Sequence, residues 1–127
     1  MNSSYSPTDS ELEILSILYQ FGPQTVRFVN DEINKTREIG YTTTLKTMQL
    51  MLDKGVLNRS VNERSHIYQP AVTESHTQNI VIKEMVERIF RGSASNLVIN
   101  ILKSNETSPE ELEKIRQLLD QIQTTKK

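Results

Sequence analysis

Residues 41–70 read YTTTLKTMQLMLDKGVLNRSVNERSHIYQP. Apolar residues recur at helical spacing in the first half, and Gly55 follows at a position where a helix commonly ends. The second half contains two short β-leaning runs, 56–61 and 66–69, with four polar residues between them. This change of period predicts one helix followed by a β-hairpin with a four-residue loop. The apolar stripe of the helix is predicted at Leu45, Met48 and Leu52.

The residues before this stretch predict two more helices. Thr8 and Glu11 have the spacing of a capping box, apolar residues follow at helical spacing, and Gly22-Pro23 ends the first helix. A second helix is expected at about 25–35. The order of three helices and a hairpin is that of a winged helix-turn-helix, in which the third helix enters the major groove of DNA and the hairpin forms the wing.

The tail from about Thr73 onward predicts three further helices, with Ser93 and Ser108 as N-caps. Their apolar stripes need a partner surface, and a second copy of the chain would supply one. The stripe residues assigned to dimerisation are Ile80, Val81, Met85, Ile89, Leu97, Ile101, Leu112, Ile115 and Leu119. The alternative is that the tail folds back onto the first 72 residues.

The predicted fold is therefore mainly α-helical with one small β-hairpin. Residues 1–72 are predicted to form a winged-helix DNA-binding domain. Residues 73–127 are predicted to form a helical dimerisation domain of three helices.

The composition limits the classes of function. The chain has 127 residues, no cysteine and two histidines. Without cysteine there is no disulfide framework, thiolate metal site or cysteine nucleophile. No stretch is apolar enough for a membrane helix, the first residues do not resemble a signal peptide, and no catalytic motif is recognisable. We therefore expect a soluble cytoplasmic protein that is not an enzyme, needs no metal or cofactor, and does not insert into a membrane.

Charge is unevenly distributed along a chain whose net charge is −1. Residues 1–34 hold one basic and five acidic residues, a net of −4, whereas residues 35–64 hold six basic and three acidic residues, a net of +3. The basic segment covers the predicted third helix and the hairpin, which are the DNA-facing parts of a winged helix. A solvated basic face is the alternative explanation of the charge alone.

Four stretches carry a resemblance to a known family. They are TDSELEIL at 8–15, YTTTLKTM at 41–48, LDKGVL at 52–57 and FRGS at 90–93. In this order and spacing they make the chain similar to the penicillinase repressor family, which includes the methicillin-resistance repressors and the copper-responsive repressors. The resemblance extends over about residues 8–122.

The resemblance implies a dimeric winged-helix repressor that binds a palindromic operator in double-stranded DNA. It also implies that the C-terminal helices make the dimer. In the antibiotic-sensing branch, a membrane sensor with a zinc protease domain triggers cleavage within these helices, after an Asn that precedes a Phe. The matching place here is Asn100-Ile101, which keeps the Asn but not the Phe. Members of the copper-responsive branch carry a cysteine-rich metal-binding tail, and because this sequence has no cysteine we do not expect a copper-thiolate sensor.

Candidate DNA contacts lie on the outward face of the predicted third helix and on the hairpin. Threonine and lysine side chains can contact base edges or phosphates, and arginines are frequent phosphate ligands. The candidates are Tyr41, Thr42, Thr43, Thr44, Lys46 and Thr47 on the helix, with Met51 as a further outward position, and Arg59, Arg64 and His66 on the hairpin. Thr42 has an alternative role as a helix cap, His66 as a solvated residue at a strand edge, and Tyr41 in packing beside the start of the helix.

The leading hypothesis is a homodimeric, sequence-specific transcriptional repressor, with proteolysis in the dimerisation region as one route to release. Two alternatives stay open. A small-molecule effector could release the DNA by binding an apolar pocket between modules. A winged helix could also be a protein-interaction adaptor, whose binding would not weaken steeply with rising salt as DNA binding does.

Overall fold

The computed structural model describes residues 5–104 and 107–125, which form six helices and one hairpin. The elements are α1 (Asp9–Phe21), α2 (Val26–Ile33), α3 (Tyr41–Asp53), β1 (Leu57–Asn62), β2 (Ser65–Pro70), α4 (Glu74–Arg88), α5 (Ala94–Lys103) and α6 (Pro109–Thr125). This order confirms the predicted fold class, a mainly helical chain with an antiparallel hairpin after the third helix. Within the described ranges, no helix combines the length and apolar character needed to cross a membrane.

Internal contacts divide the chain into two compact units, and the boundary in the sequence falls within α4, between Ile82 and Lys83. The first unit contains α1, α2, α3, the hairpin and the beginning of α4. The second contains the rest of α4 together with α5 and α6. The assignment of DNA binding to residues 1–72 and dimerisation to residues 73–127 stays a prediction about function.

The hydrophobic core of the first unit lies where α1, α2 and α3 meet the base of the hairpin. Its buried members include the predicted apolar face of α2. Each such side chain contributes about 1.5–3 kcal/mol by leaving water. The buried apolar residues are Ile14, Leu15, Leu18, Val26, Val29, Ile33, Met48, Met51, Val56, Leu57 and Tyr68.

The predicted helix starts of α1, α5 and α6 are confirmed by their cap hydrogen bonds. The Thr8 hydroxyl accepts from the Glu11 amide at 3.1 Å, and a Glu11 carboxylate oxygen accepts from the Thr8 amide at 3.0 Å. The same reciprocal pair joins Ser108 and Glu111, with both distances at 3.1 Å. The Ser93 hydroxyl accepts from the third amide after it. These side chains satisfy donors that a helix start otherwise leaves open.

Glu11 also connects the start of α1 to the end of α3. Its second carboxylate oxygen accepts from Lys54 Nζ at 2.6 Å. Burial by itself would raise the pKa of Glu11. The hydrogen bonds from Lys54 and the Thr8 amide, together with the charge of Lys54, outweigh burial and hold the pKa below its ordinary value. Lys54 therefore joins the end of α3 to the start of α1.

The hairpin turn is shorter than predicted. The strands pair from Leu57 opposite Pro70 up to Asn62 opposite Ser65, so the loop contains two residues instead of four. Two of the four polar residues, Asn62 and Ser65, are exposed strand ends, and polarity alone does not distinguish such residues from a loop. Glu63 turns the chain with a φ of 61°, a left-handed conformation that is uncommon for residues other than glycine.

A pair of backbone hydrogen bonds fixes the hairpin to the helices. The Gln24 amide donates to the Tyr68 carbonyl at 3.0 Å, and the Tyr68 amide donates to the Gln24 carbonyl at 2.8 Å. Gln24 immediately precedes Thr25, the N-cap of α2. The wing is consequently held at the start of α2, a connection that the sequence pattern did not indicate.

The buried face of α3 is rotated relative to the prediction. Thr44, Met48 and Met51 are buried, whereas the predicted stripe residues Leu45 and Leu52 are only half-buried. The expectation that Met51 faces outward is wrong, because its side chain is 0% exposed. The helix also begins at Tyr41 with Gly40 as its N-cap and no side-chain cap, so the capping role considered for Thr42 is wrong.

Thr44 was predicted to contact DNA, and this prediction is wrong. Its side chain is 1% exposed, and its hydroxyl accepts from Asn30 Nδ2 of α2 at 2.8 Å. Asn30 itself is buried. A buried amide needs a hydrogen-bond partner, and Thr44 supplies it from inside the helix-turn-helix.

We expect Thr44→Val to lower the free energy of unfolding by about 1–3 kcal/mol, because it leaves a buried Asn30 donor without this acceptor. Thr43→Val is the matched control, since Thr43 is exposed on the same helix and surface changes usually cost within about 0.5 kcal/mol. Urea unfolding of the two variants measures the difference. Equal effects would contradict a stabilising role for the Asn30–Thr44 hydrogen bond.

Candidate nucleic-acid interface

The outward face of α3 carries most of the side chains predicted to contact DNA. Tyr41, Thr42, Thr43 and Lys46 are exposed, and Thr47 is half-buried. The Thr47 hydroxyl donates to the Thr43 carbonyl at 3.0 Å, so its hydrogen is engaged while its oxygen can still accept. The structure thus brings five of the six named helix candidates to the surface and removes Thr44. Their contact with DNA stays a prediction.

The hairpin holds the other candidates. Arg64 lies in the two-residue turn, and His66 follows on β2, opposite Val61 of β1. Arg59 lies on β1 opposite Tyr68. All three candidate side chains are exposed. Arg64 and His66 line a cleft together with Tyr41, whereas Arg59 is not among its lining residues.

Ion pairing divides the six basic residues of the segment 35–64 into two groups. Lys35 pairs with Glu32, Arg37 with Glu13, and Lys54 with Glu11, each at 2.6 Å. For the other three, the structure shows no ion pair with any residue it describes. Those three are Lys46, Arg59 and Arg64, which belong to α3 and the hairpin. These two elements therefore carry three basic side chains with no ion pair among the described residues, together with Asp53 on α3 and Glu63 in the hairpin turn.

One basic residue of this surface was missed in the sequence. The Arg27 guanidinium carbon lies 4.6 Å from the centre of the Tyr41 ring, in a cation–π contact between α2 and α3. Arg27 is exposed, and it also lines the cleft with Arg64 and His66. It is the one basic residue in the acidic segment 1–34. Because that segment is acidic overall, its net charge did not single out Arg27. The helical spacing of the sequence nevertheless places Arg27 away from the apolar face of α2.

Comparison with known proteins gives a consistent result along nearly the whole chain. The family model described as penicillinase repressor matches residues 7–121. The chain is 28% identical over 124 residues to a penicillinase repressor from Bacillus licheniformis, with 94% of each chain covered. It is 22% identical over 119 residues to the methicillin resistance regulatory protein MecI from Mammaliicoccus sciuri, which covers 94% of this chain and 97% of that protein.

A solved structure supports the fold independently. The structure of a MarR family protein from Bacillus stearothermophilus aligns with a TM-score of 0.53 at 22% identity, covering 97% of this chain and 78% of the other. At this level of identity the likeness concerns the fold. It supports the winged helix-turn-helix arrangement that the element order indicates.

Lys46→Gln tests whether the exposed face of α3 contacts nucleic acid. We expect weaker binding to the tightest duplex recovered from a randomised pool. The salt slope should fall by about one if Lys46 contacts a phosphate. Lys35→Gln is the matched control, because it removes the same charge from a lysine already paired with Glu32. Fluorescence anisotropy at several salt concentrations measures both variants, and identical curves for Lys46→Gln and the parent protein would contradict the contact.

Proposed function

The chain belongs to the penicillinase repressor family, and we propose that it is a homodimeric transcriptional repressor that binds an inverted-repeat operator in double-stranded DNA. As a member of this family of regulators it is not an enzyme. The observation that carries the proposal is the location of the unpaired basic residues. Lys46 on α3, and Arg59 and Arg64 on the hairpin, lie on the two elements that a winged helix presents to DNA.

The dimer is proposed from the side chains of the second unit. None of the residues described from Lys83 to Thr125 is buried, and many of them are apolar. Among the large apolar residues of this unit, Ile89 has the highest exposed fraction, 68%. Contiguous exposed apolar surface of this kind marks an interaction site in a monomer. The exposed large apolar residues of this unit are Met85, Ile89, Val98, Ile99, Ile101, Leu102, Leu112, Leu118, Leu119 and Ile122.

We assign this surface to a second copy of the chain, in line with the sequence-based assignment of the apolar stripes to dimerisation. Ile80 and Val81 lie in the first unit and are half-buried, as are Leu97 and Ile115 in the second. The other predicted dimerisation residues are exposed and available to a partner. A two-fold dimer carries two copies of α3, so it matches an operator with inverted half-sites about one helical turn apart.

Leu119→Glu tests the dimer and its role together. A charge in the apolar stripe of α6 should make the protein monomeric in sedimentation equilibrium, because an unpaired carboxylate is costly to bury. We expect affinity for the full inverted repeat to fall at least about tenfold, equivalent to about 1.4 kcal/mol. Gln121→Glu adds the same charge on the same helix away from the stripe and should leave both properties unchanged. A dimeric Leu119→Glu with parental affinity would overturn the assignment of α6 to the interface.

Release is proposed to follow from cleavage after Asn100, within α5. Asn100 is exposed, and its Nδ2 donates to the Asn96 carbonyl at 2.8 Å, one helical turn back. A peptide bond in the middle of a helix has to leave the helix before a protease can hold it in an extended form. Within a single chain α5 has no buried side chains, so local unwinding there costs little whenever α5 is not covered by the partner copy. A cut here would break the covalent connection between α6 and the winged helix, and this would weaken the proposed dimer.

The masses of the protein recovered from its own cells, before and after exposure to a β-lactam, test this route. We expect a fragment that ends at Asn100 to appear with loss of operator occupancy, which chromatin immunoprecipitation measures. A protein of unchanged mass that nevertheless leaves the operator would contradict cleavage. That outcome would favour release by a small-molecule effector.

A further inference from the structure

A cleft in the first unit lies between α2, α3 and the hairpin, and each of the three elements contributes a polar or basic side chain to it. Arg27 and Thr25 come from α2 and its cap, Tyr41 from α3, and Arg64 and His66 from the hairpin. No aspartate or glutamate is among the residues that line this cleft. The chain as a whole has 15 basic and 16 acidic residues. A cleft lined by basic but no acidic side chains therefore differs from the rest of the chain and favours an anionic occupant.

Two contacts hold the cleft in shape before any ligand arrives. The Arg27 guanidinium lies over the Tyr41 ring, 4.6 Å from its centre. The hairpin is fixed to the start of α2 by the paired backbone hydrogen bonds of Gln24 and Tyr68. Arg27 forms no ion pair with any residue in the described ranges, so its planar hydrogen-bond donors are not taken by a carboxylate. The opposing arginine, Arg64, is likewise unpaired within those ranges.

We propose that this cleft binds one phosphate group of the DNA backbone, held jointly by Arg27 from the helix-turn-helix and Arg64 from the wing. The proposal rests on the proposed function and deepens it, because it gives Arg27 and the Tyr41 ring a role in DNA binding. Arginine matches the geometry of phosphate oxygens with paired hydrogen bonds. Tyr41 is a positioning residue here, since its ring orients the Arg27 guanidinium.

A shared phosphate makes a specific prediction about salt dependence. Each DNA phosphate that a protein neutralises contributes about −0.9 to the slope of log K against log salt. Arg27→Gln and Arg64→Gln should each weaken duplex binding. Because one phosphate is involved, the double variant should lower the magnitude of the slope by about one, not two. Its loss of affinity should be smaller than the product of the two single losses.

The experiment measures binding of these three variants to the tightest duplex selected by the parent protein, across a range of salt concentrations. Arg37→Gln is the matched control, since Arg37 pairs with Glu13 of α1, and it should bind as the parent does. Tyr41→Phe keeps the ring and should keep most of the affinity. Tyr41→Leu removes the ring and should weaken binding, with no further loss in the Arg27→Gln background. Urea unfolding establishes that every variant is folded.

The outcomes separate this inference from the function on which it rests. Losses that multiply, with the slope magnitude falling by about two, would mean two separate phosphates and would overturn the shared site. Parental binding by Arg27→Gln would overturn it as well, while the repressor function stands. If Arg27→Gln binds inorganic phosphate more weakly than the parent protein but binds the duplex equally well, the cleft is a site for free phosphate instead. If the parent protein selects no duplex, both proposals fail.

Discussion

The hydrogen bond from the buried amide of Asn30 to the hydroxyl of Thr44 fixes α3 against α2. The Asn30 amide also reaches the Ile39 carbonyl at 3.3 Å, in the turn that precedes α3. Asn34 completes the connection, because its side chain donates to the Asn30 and Ile39 carbonyls and accepts from the Ile39 amide. Asn30 and Thr44 are buried, and each has a hydrogen-bond partner there, whereas Asn34 extends the network to the surface. The network sets the rotation of α3, and that rotation decides which of its threonines reach solvent.

The electrostatics of the surface follow from the same arrangement. Glu11 and Glu13 of α1 neutralise Lys54 and Arg37, two of the basic residues that flank α3 in sequence. Of the six basic residues at 35–64, the three that form no ion pair with a described residue lie on α3 and the hairpin. A nearly neutral chain can thereby keep basic side chains available on one surface while those on other faces of the first unit are engaged in ion pairs. The hydrogen bonds and charge that lower the pKa of Glu11 outweigh its burial, so its pair with Lys54 stays charged at lower pH than it would with an ordinary glutamate.

Much of the fold could be predicted because it depends on local signals. Capping residues at Thr8, Ser93 and Ser108 mark helix starts through bonds to nearby amides, and the glycine at Gly55 has the left-handed φ of 79° that a helix end favours. The errors concern features that local signals do not contain. Helical periodicity predicts the spacing of the buried residues on α3. It does not predict which face of the helix is buried when a polar residue such as Thr44 is buried by a hydrogen bond to another helix. The Arg27–Tyr41 contact joins residues on two helices, and the sequence around each residue contains no signal that predicts the contact.

The two units differ in what holds them together, and this difference bears on regulation. The first has a buried core and buried polar hydrogen bonds, so the exposed face of α3 and the hairpin are held in place within a single chain. The described side chains of the second are not buried within the chain, so under the proposed function its stability comes from the partner copy. Folding of that unit, dimerisation and operator occupancy are then linked by mass action. Under the proposed function, a small loss of α5 or α6 packing would lower the dimer concentration first. The operator would then empty, because one winged helix binds more weakly than two that are joined.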